Sequence, residues 1–441
     1  MGRDRTGQGP RSPVSPETAE GEPAAVPDRP GRHRTAWPAS PASAGPVRRR
    51  LARARTRWPG ARPVLIQIKA ARAPRAYENA VGTEARMDIL AIVERLGEAP
   101  AAALFGLLTG AVFGVAAQRS RFCLRAATVE FARGALGPRT AVWLLCFSTA
   151  LVWVQAADLA GLMRSADARM MAVPGSWSGA ILGGLLFGVG MVLARGCSGR
   201  LLVLAATGNL RAVVSGLVFA VVAQMSLHGV LAPARGEIAG LWTTQGGRNA
   251  DLLAALPLPQ SAGLILGLAL AVLAIALALR AGLRAATLVF ASGVGFSVAV
   301  GWVVTFGLSQ VSFDPVQIES VTFTGPSAST LMFFLAPERG LDFDIGLVPG
   351  VFLGAFLAAW AGGDLKAQSF HDPGTMTRSG IGAAAMGFGG MLAGGCAIGA
   401  GVTGGSIFVG TAWAALTAMW IGAMLTDLVV DQRRAGATAA A

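Results

Sequence analysis

The sequence predicts an all-α polytopic membrane protein with about nine transmembrane helices in two related halves. Three observations carry this. Only 14% of the 441 residues are charged, against about 25% in soluble domains. Long apolar runs recur at the length a bilayer requires. One glycine–cysteine segment occurs twice, some two hundred residues apart.

A hydrocarbon core of about 30 Å needs about 20 apolar residues per helix. By that ruler the spans fall at 100–118, 140–162, 176–195, 211–232, 261–280, 286–308, 345–363, 379–395 and 407–430. Arg280 and Arg284 separate the fifth from the sixth. The eighth and the start of the ninth are glycine-rich enough to be partly re-entrant. Together they define a transmembrane domain over 87–435, with halves at about 100–232 and 261–430.

The net charge of +13 is not spread along the chain, because +10 of it lies in residues 1–86. That excludes a nucleic-acid-binding surface on the apolar part. Residues 1–86 hold 12 of the 23 prolines and few large apolar residues, a disordered composition. Met87 directly precedes the first span and is the expected true start, with 1–86 a misannotated extension. Arginines gather after spans one, three and five, at Arg119, Arg121, Arg125, Arg133 and Arg139, at Arg200 and Arg211, and at Arg280 and Arg284. The loop after span six is acidic. The excess of Lys and Arg in cytoplasmic loops therefore puts the start of the first span in the periplasm. It puts the C-terminus, with Arg433 and Arg434, in the cytoplasm, and the inner membrane is the expected location. A +10 tail on the outer side would break this rule.

The repeated segments are GMVLARGC (Gly190 to Cys197) and GGMLAGGC (Gly389 to Cys396). Each ends an apolar span and is followed by a Thr-Gly pair. A weaker pair, FCLRAATVEFA from Phe122 and AGLRAATLVFA from Ala281, sets Cys123 opposite Gly282. Glycine-interrupted helices at matching positions of two halves mark transporter binding sites. Bare backbone at membrane depth survives only where it lines a polar cavity. A helix N-terminus there offers its amides and dipole to an anion, so no Lys or Arg need be buried. A thiol, a weak donor and polarizable acceptor, holds a soft sulfur anion loosely enough for transit. Cys197 and Cys396 share this context. Cys123, at a span end among arginines, is balanced between a structural and a functional role. Cys146, in WLLCFST, reads as a small buried residue. His228 and His371 are isolated, so no metal is expected, and no Walker motif or other cofactor signature is present.

With QRSRFCLRAA around Cys123, VLARGCSGRLL around Cys197 and GGMLAGGCAIGAGVTGGS around Cys396, the chain resembles the YeeE/YedE family of sulfur-transport membrane proteins over about residues 100–430. The resemblance implies nine transmembrane helices in two pseudo-symmetric halves, with short re-entrant helices from both faces around a central hourglass pore. It implies passage of thiosulfate along Cys123, Cys197 and Cys396 by S–H hydrogen bonds. Some relatives carry or neighbour a TusA-like sulfur carrier; no Cys-Pro motif of such a domain occurs here, so that partner would be a separate cytoplasmic chain. The expected function is uptake of thiosulfate or a related small sulfur anion by a protein that is not an enzyme. The alternatives are a membrane thiol redox or sulfurtransferase enzyme, which would need paired or exposed low-pKa cysteines, and a transporter of another sulfur or selenium species. Residues 309–344 are too long for a simple connector and are read as an external cap.

Overall fold

The structure, a computed structural model, describes residues 80–336, 340–368 and 373–432. Most of the basic tail, His371, Arg433 and Arg434 lie outside the described residues. A bilayer leaves the backbone no partner but itself, so a spanning chain must be helical or a closed barrel. The described residues form helices and no strands. Nine of the helical stretches are long and apolar enough to cross a membrane. A further helix, α1 (Ala80–Leu96), crosses the domain boundary expected at Met87. Its Ile89, Ile92 and Val93 pack near the buried Leu308.

Three spans are broken in the same way. Helix α2 (Glu98–Ser120) ends at Arg121, and after Cys123 the chain resumes as α3 (Leu124–Ala132). Helices α4 (Pro138–Leu159) and α5 (Arg169–Ala172) follow. Helix α6 (Trp177–Leu193) then leads through Arg195 and Cys197 into α7 (Ser198–Ala206). Helices α8 (Leu210–Leu227), α9 (Ala232–Gly240), α10 (Leu252–Ala255), α11 (Ser261–Arg280), α12 (Ala285–Val311), α13 (Thr324–Leu335) and α14 (Phe343–Gly362) come next. Helix α15 (Pro373–Leu392) leads through Gly394 and Cys396 into a π-helical segment, π1 (Ala397–Gly404), and the last span opens with α16 (Gly410–Thr426).

Each break is a left-handed residue standing two positions before a cysteine: Arg121 at φ 54°, Arg195 at φ 58° and Gly394 at φ 78°. In the first two, paired amide bonds cap the helix end, Phe122 N–H to Ala117 O with Arg121 N–H to Gln118 O, and Gly196 N–H to Met191 O with Arg195 N–H to Val192 O. This is the Schellman arrangement. Glycine normally takes the left-handed position; an arginine there costs about 1–2 kcal/mol. Two of the breaks are legible as glycine–cysteine motifs, the first carries no glycine, and two of the three turn on an arginine.

Glycine sets how closely the spans pack. Gly106, Gly110 and Gly114 of α2 face α14, where a Cβ would fall 2.1–2.3 Å from the carbonyl oxygens of Phe343, Leu347 and Val351. Gly346, Gly350 and Gly354 of α14 return the contact, 1.9–2.2 Å from Ala103, Leu107 and Ala111. Such small-xxx-small stripes let transmembrane backbones touch. Apart from α4 with α11, the other principal pairings come in matched sets: α4 with α12, α6 with α16, and α8 with α15, while α2 meets α12 and α6 meets α15.

Candidate functional site

The short helices after the breaks carry the site. Cys123, Cys197 and Cys396 each occupy the N-cap of one: α3, α7 and π1. An N-cap side chain points at the free amides of the first turn. The Cys396 sulfur accepts from the Gly399 N–H at 3.4 Å. The equivalent amides of Ala126 and Arg200 face the sulfurs of Cys123 and Cys197 without closing a full cap bond. Cys197 and Cys396 are fully buried and Cys123 is partly buried. All three are free thiols.

The fold brings these residues together. Cys123 and Cys197 lie near enough for their side chains to act on each other, and Cys396 lies near enough to act electrostatically on Cys197. Cys146 lies apart, fully buried in α4, as a structural residue would. Gly282, opposite Cys123 in the sequence pairing, sits in an open turn between α11 and α12, where a Cβ would have nothing within 4 Å.

Residues 309–344 are not simply an external cap. They end α12, cross a loop and form α13, whose N-terminus reaches the thiols' neighbourhood. A Cβ on Gly399 would meet Thr322 Oγ1 at 2.1 Å, and one on Gly199 would meet the Phe323 ring at 2.9 Å and Ile398 at 3.6 Å. Phe323 also packs on Phe113 of α2, centroids 5.1 Å apart. The first turns of α7, α13 and π1 therefore interlock. No sequence motif announces α13, because its first turn, Thr-Gly-Pro-Ser, carries no cysteine.

A cavity of about 870 Å³ opens against this interlock. Its wall includes Arg169, Glu319, Thr322 and Thr324, and it reaches Gly394 and Gly395, the residues that immediately precede Cys396. Arg169 pairs with Glu319 at 3.7 Å across it. Burial pushes the Glu319 carboxyl above its ordinary range, with Asp342 adding to the shift, while Arg169 and a hydrogen bond with Asp344 oppose it.

The expectation that no Lys or Arg need be buried beside the thiols needs correction. Arg200, one turn beyond Cys197 in α7, acts electrostatically on both Cys197 and Cys123. Its place after a span end suggests a loop residue that sets topology; the continuation of the chain as α7 brings it inward. Ser198, beside Cys197, is 5% exposed.

Residues 119–425 match the model of a family described as sulphur transport. The chain is also 29% identical to the thiosulfate transporter TsuA of Escherichia coli (strain K12), over 77% of this chain and 98% of that protein. The family match covers all three cysteine breaks and the short helices that follow them, and on that ground this multi-pass membrane protein belongs to the sulphur transport family, the YeeE/YedE group.

Proposed function

We propose that this protein takes up thiosulfate, or a closely related small sulfur anion, across the inner membrane, with Cys123, Cys197 and Cys396 as successive contacts for the ion. One observation carries the reading: three free thiols, far apart in sequence, occupy the N-caps of three short helices after three similar breaks, and Cys123 and Cys396 both lie near enough to act on Cys197. Each offers a polarizable sulfur beside the positive end of a helix. Weak, repeated contacts suit passage better than capture. The cavity ending at Gly394 and Gly395 is the entry on one face, which the arginine distribution makes periplasmic. A TusA-like carrier on the cytoplasmic side would draw the anion off.

The matched helix pairings support a two-half architecture in which α2, α3, α4, α6, α7 and α8 correspond to α12, α13, α14, α15, π1 and α16. On that reading α11 stands outside the repeat. The partner of α3 is α13, rather than the turn at Gly282.

The test is growth of a sulfur auxotroph on low thiosulfate as sole sulfur source. The wild-type chain should rescue; Cys197→Ser and Cys396→Ser, expressed at the same level, should not. Rescue by both variants would end the proposal. A second reading, a thiol redox enzyme, is favoured by the nearness of Cys123 to Cys197, which supplies in space the pair that the sequence lacks. It predicts that Cys396→Ser retains activity while Cys123→Ser and Cys197→Ser lose it together.

A further inference from the structure

Arg200 raises a problem that transport by thiols alone does not answer. Its Nη1 is buried without a hydrogen-bond partner. Among the described residues no carboxylate lies within ion-pair distance of it. The groups that act on it are the thiols of Cys123 and Cys197 and two further cations, Arg139 and Arg121. Beside it, at the first position of α7, the Ser198 hydroxyl is buried and also has no partner. Arg200 as a whole is half-buried, but burying its Nη1 without an acceptor is costly, and so is burying an unsatisfied hydroxyl. The two donors stand two positions apart in the first turn of α7, whose N-cap is Cys197, and Arg200 acts electrostatically on both thiols.

Resting on the uptake reading above, we propose that Arg200 and Ser198 form an oxyanion subsite beside the Cys123–Cys197 pair, which selects an anion bearing a sulfonate-type head and a terminal soft sulfur. The guanidinium and hydroxyl take the oxygens, and the thiols take the terminal sulfur. Neither end alone satisfies the site. Sulfate supplies oxygens without the soft atom, and thiocyanate supplies the soft atom without oxygens. Arg139 and Arg121, both exposed, continue the positive path away from the subsite. A charge-assisted hydrogen bond to an oxyanion is among the stronger polar contacts, so its loss is large enough to measure.

The experiment uses the full chain purified in detergent, with thiosulfate, thiocyanate and sulfate titrated and binding read from the ligand-induced rise in melting temperature. Arg200→Gln should raise the half-effective thiosulfate concentration by about tenfold or more, and leave that of thiocyanate unchanged. In the wild type, thiosulfate should act at a concentration well below either single-ended anion. Wild-type affinity for thiosulfate in Arg200→Gln overturns the subsite. So does equal action of thiocyanate and thiosulfate on the wild type, a result that needs no variant to fold. Cys197→Ser separates the two layers: if it weakens thiosulfate and Arg200→Gln does not, the subsite alone fails. If neither variant changes thiosulfate binding, or the wild type binds none, the uptake reading fails with it.

Discussion

The Arg133 guanidinium closes two hydrogen bonds on the Asp427 carboxylate, Nε to Oδ2 at 3.1 Å and Nη2 to Oδ1 at 3.0 Å, across 294 residues of chain. This fork ties the end of α3 to the end of α16, and so steadies the short helix whose N-cap is Cys123. Its two ends differ in environment. Asp427 is wholly buried, whereas the Arg133 side chain is 51% exposed. Removing the arginine takes both of these hydrogen bonds from a wholly buried carboxylate, at a cost of up to about 3 kcal/mol. Removing the aspartate leaves a cation that water can reach. Arg133→Ala should therefore destabilise the protein more than Asp427→Ala, measured as thermal unfolding in detergent. Equal losses, or the reverse order, would contradict the asymmetry.

Gly110 and Gly216 make a matched pair of probes. A methyl on Gly110 would stand 2.3 Å from the Leu347 carbonyl oxygen, whereas Gly216 in α8 has open space around it. Gly110→Ala should force α2 and α14 apart and cost about 1–3 kcal/mol. Gly216→Ala should be neutral, or stabilising by up to about 1 kcal/mol through helix propensity. Melting temperatures of the two variants decide it, and a harmless Gly110→Ala would remove the close helix contact from the account.

Gly394 tests the break itself. It holds φ 78° with nothing near the place a side chain would occupy, so alanine there meets strain and no clash. The expected cost is about 1–2 kcal/mol, with a shift in the direction of the Cys396 thiol. Uptake should fall more than the stability loss explains. Normal uptake by Gly394→Ala would show that this break tolerates a different backbone.

Glu319 gives a pH dependence of defined sign. Its carboxyl is raised mainly by burial, assisted by Asp342, against the opposing Arg169 ion pair and the hydrogen bond with Asp344. A raised folded value means that the folded state keeps a proton the unfolded chain has already lost. Stability on this account is unaffected below the ordinary carboxylate range. It declines as pH rises from there through the raised value, then levels off. Relative to Glu319→Gln, the wild type should lose melting temperature as the pH rises from the ordinary carboxylate range through the raised Glu319 value. Parallel curves for the two proteins would refute the assignment.

The amino-acid sequence by itself determined the helical spans, the positions of the breaks and the cysteines worth testing. Hydropathy is a local sum over about 20 residues, and a Gly–Cys motif is read in eight. Nothing distant has to be known for either. Tertiary structure alone decided what the breaks do together. The approach of Cys123 to Cys197 joins residues 74 positions apart in the numbering. The inward course of Arg200 depends on α7 folding back into the bundle, and the role of α13 on its first turn meeting Gly399 and Gly199. A charge beyond the end of an apolar run looks solvated in any local window. Whether it is buried beside a thiol is settled by which helices pack, and that is a property of the whole chain.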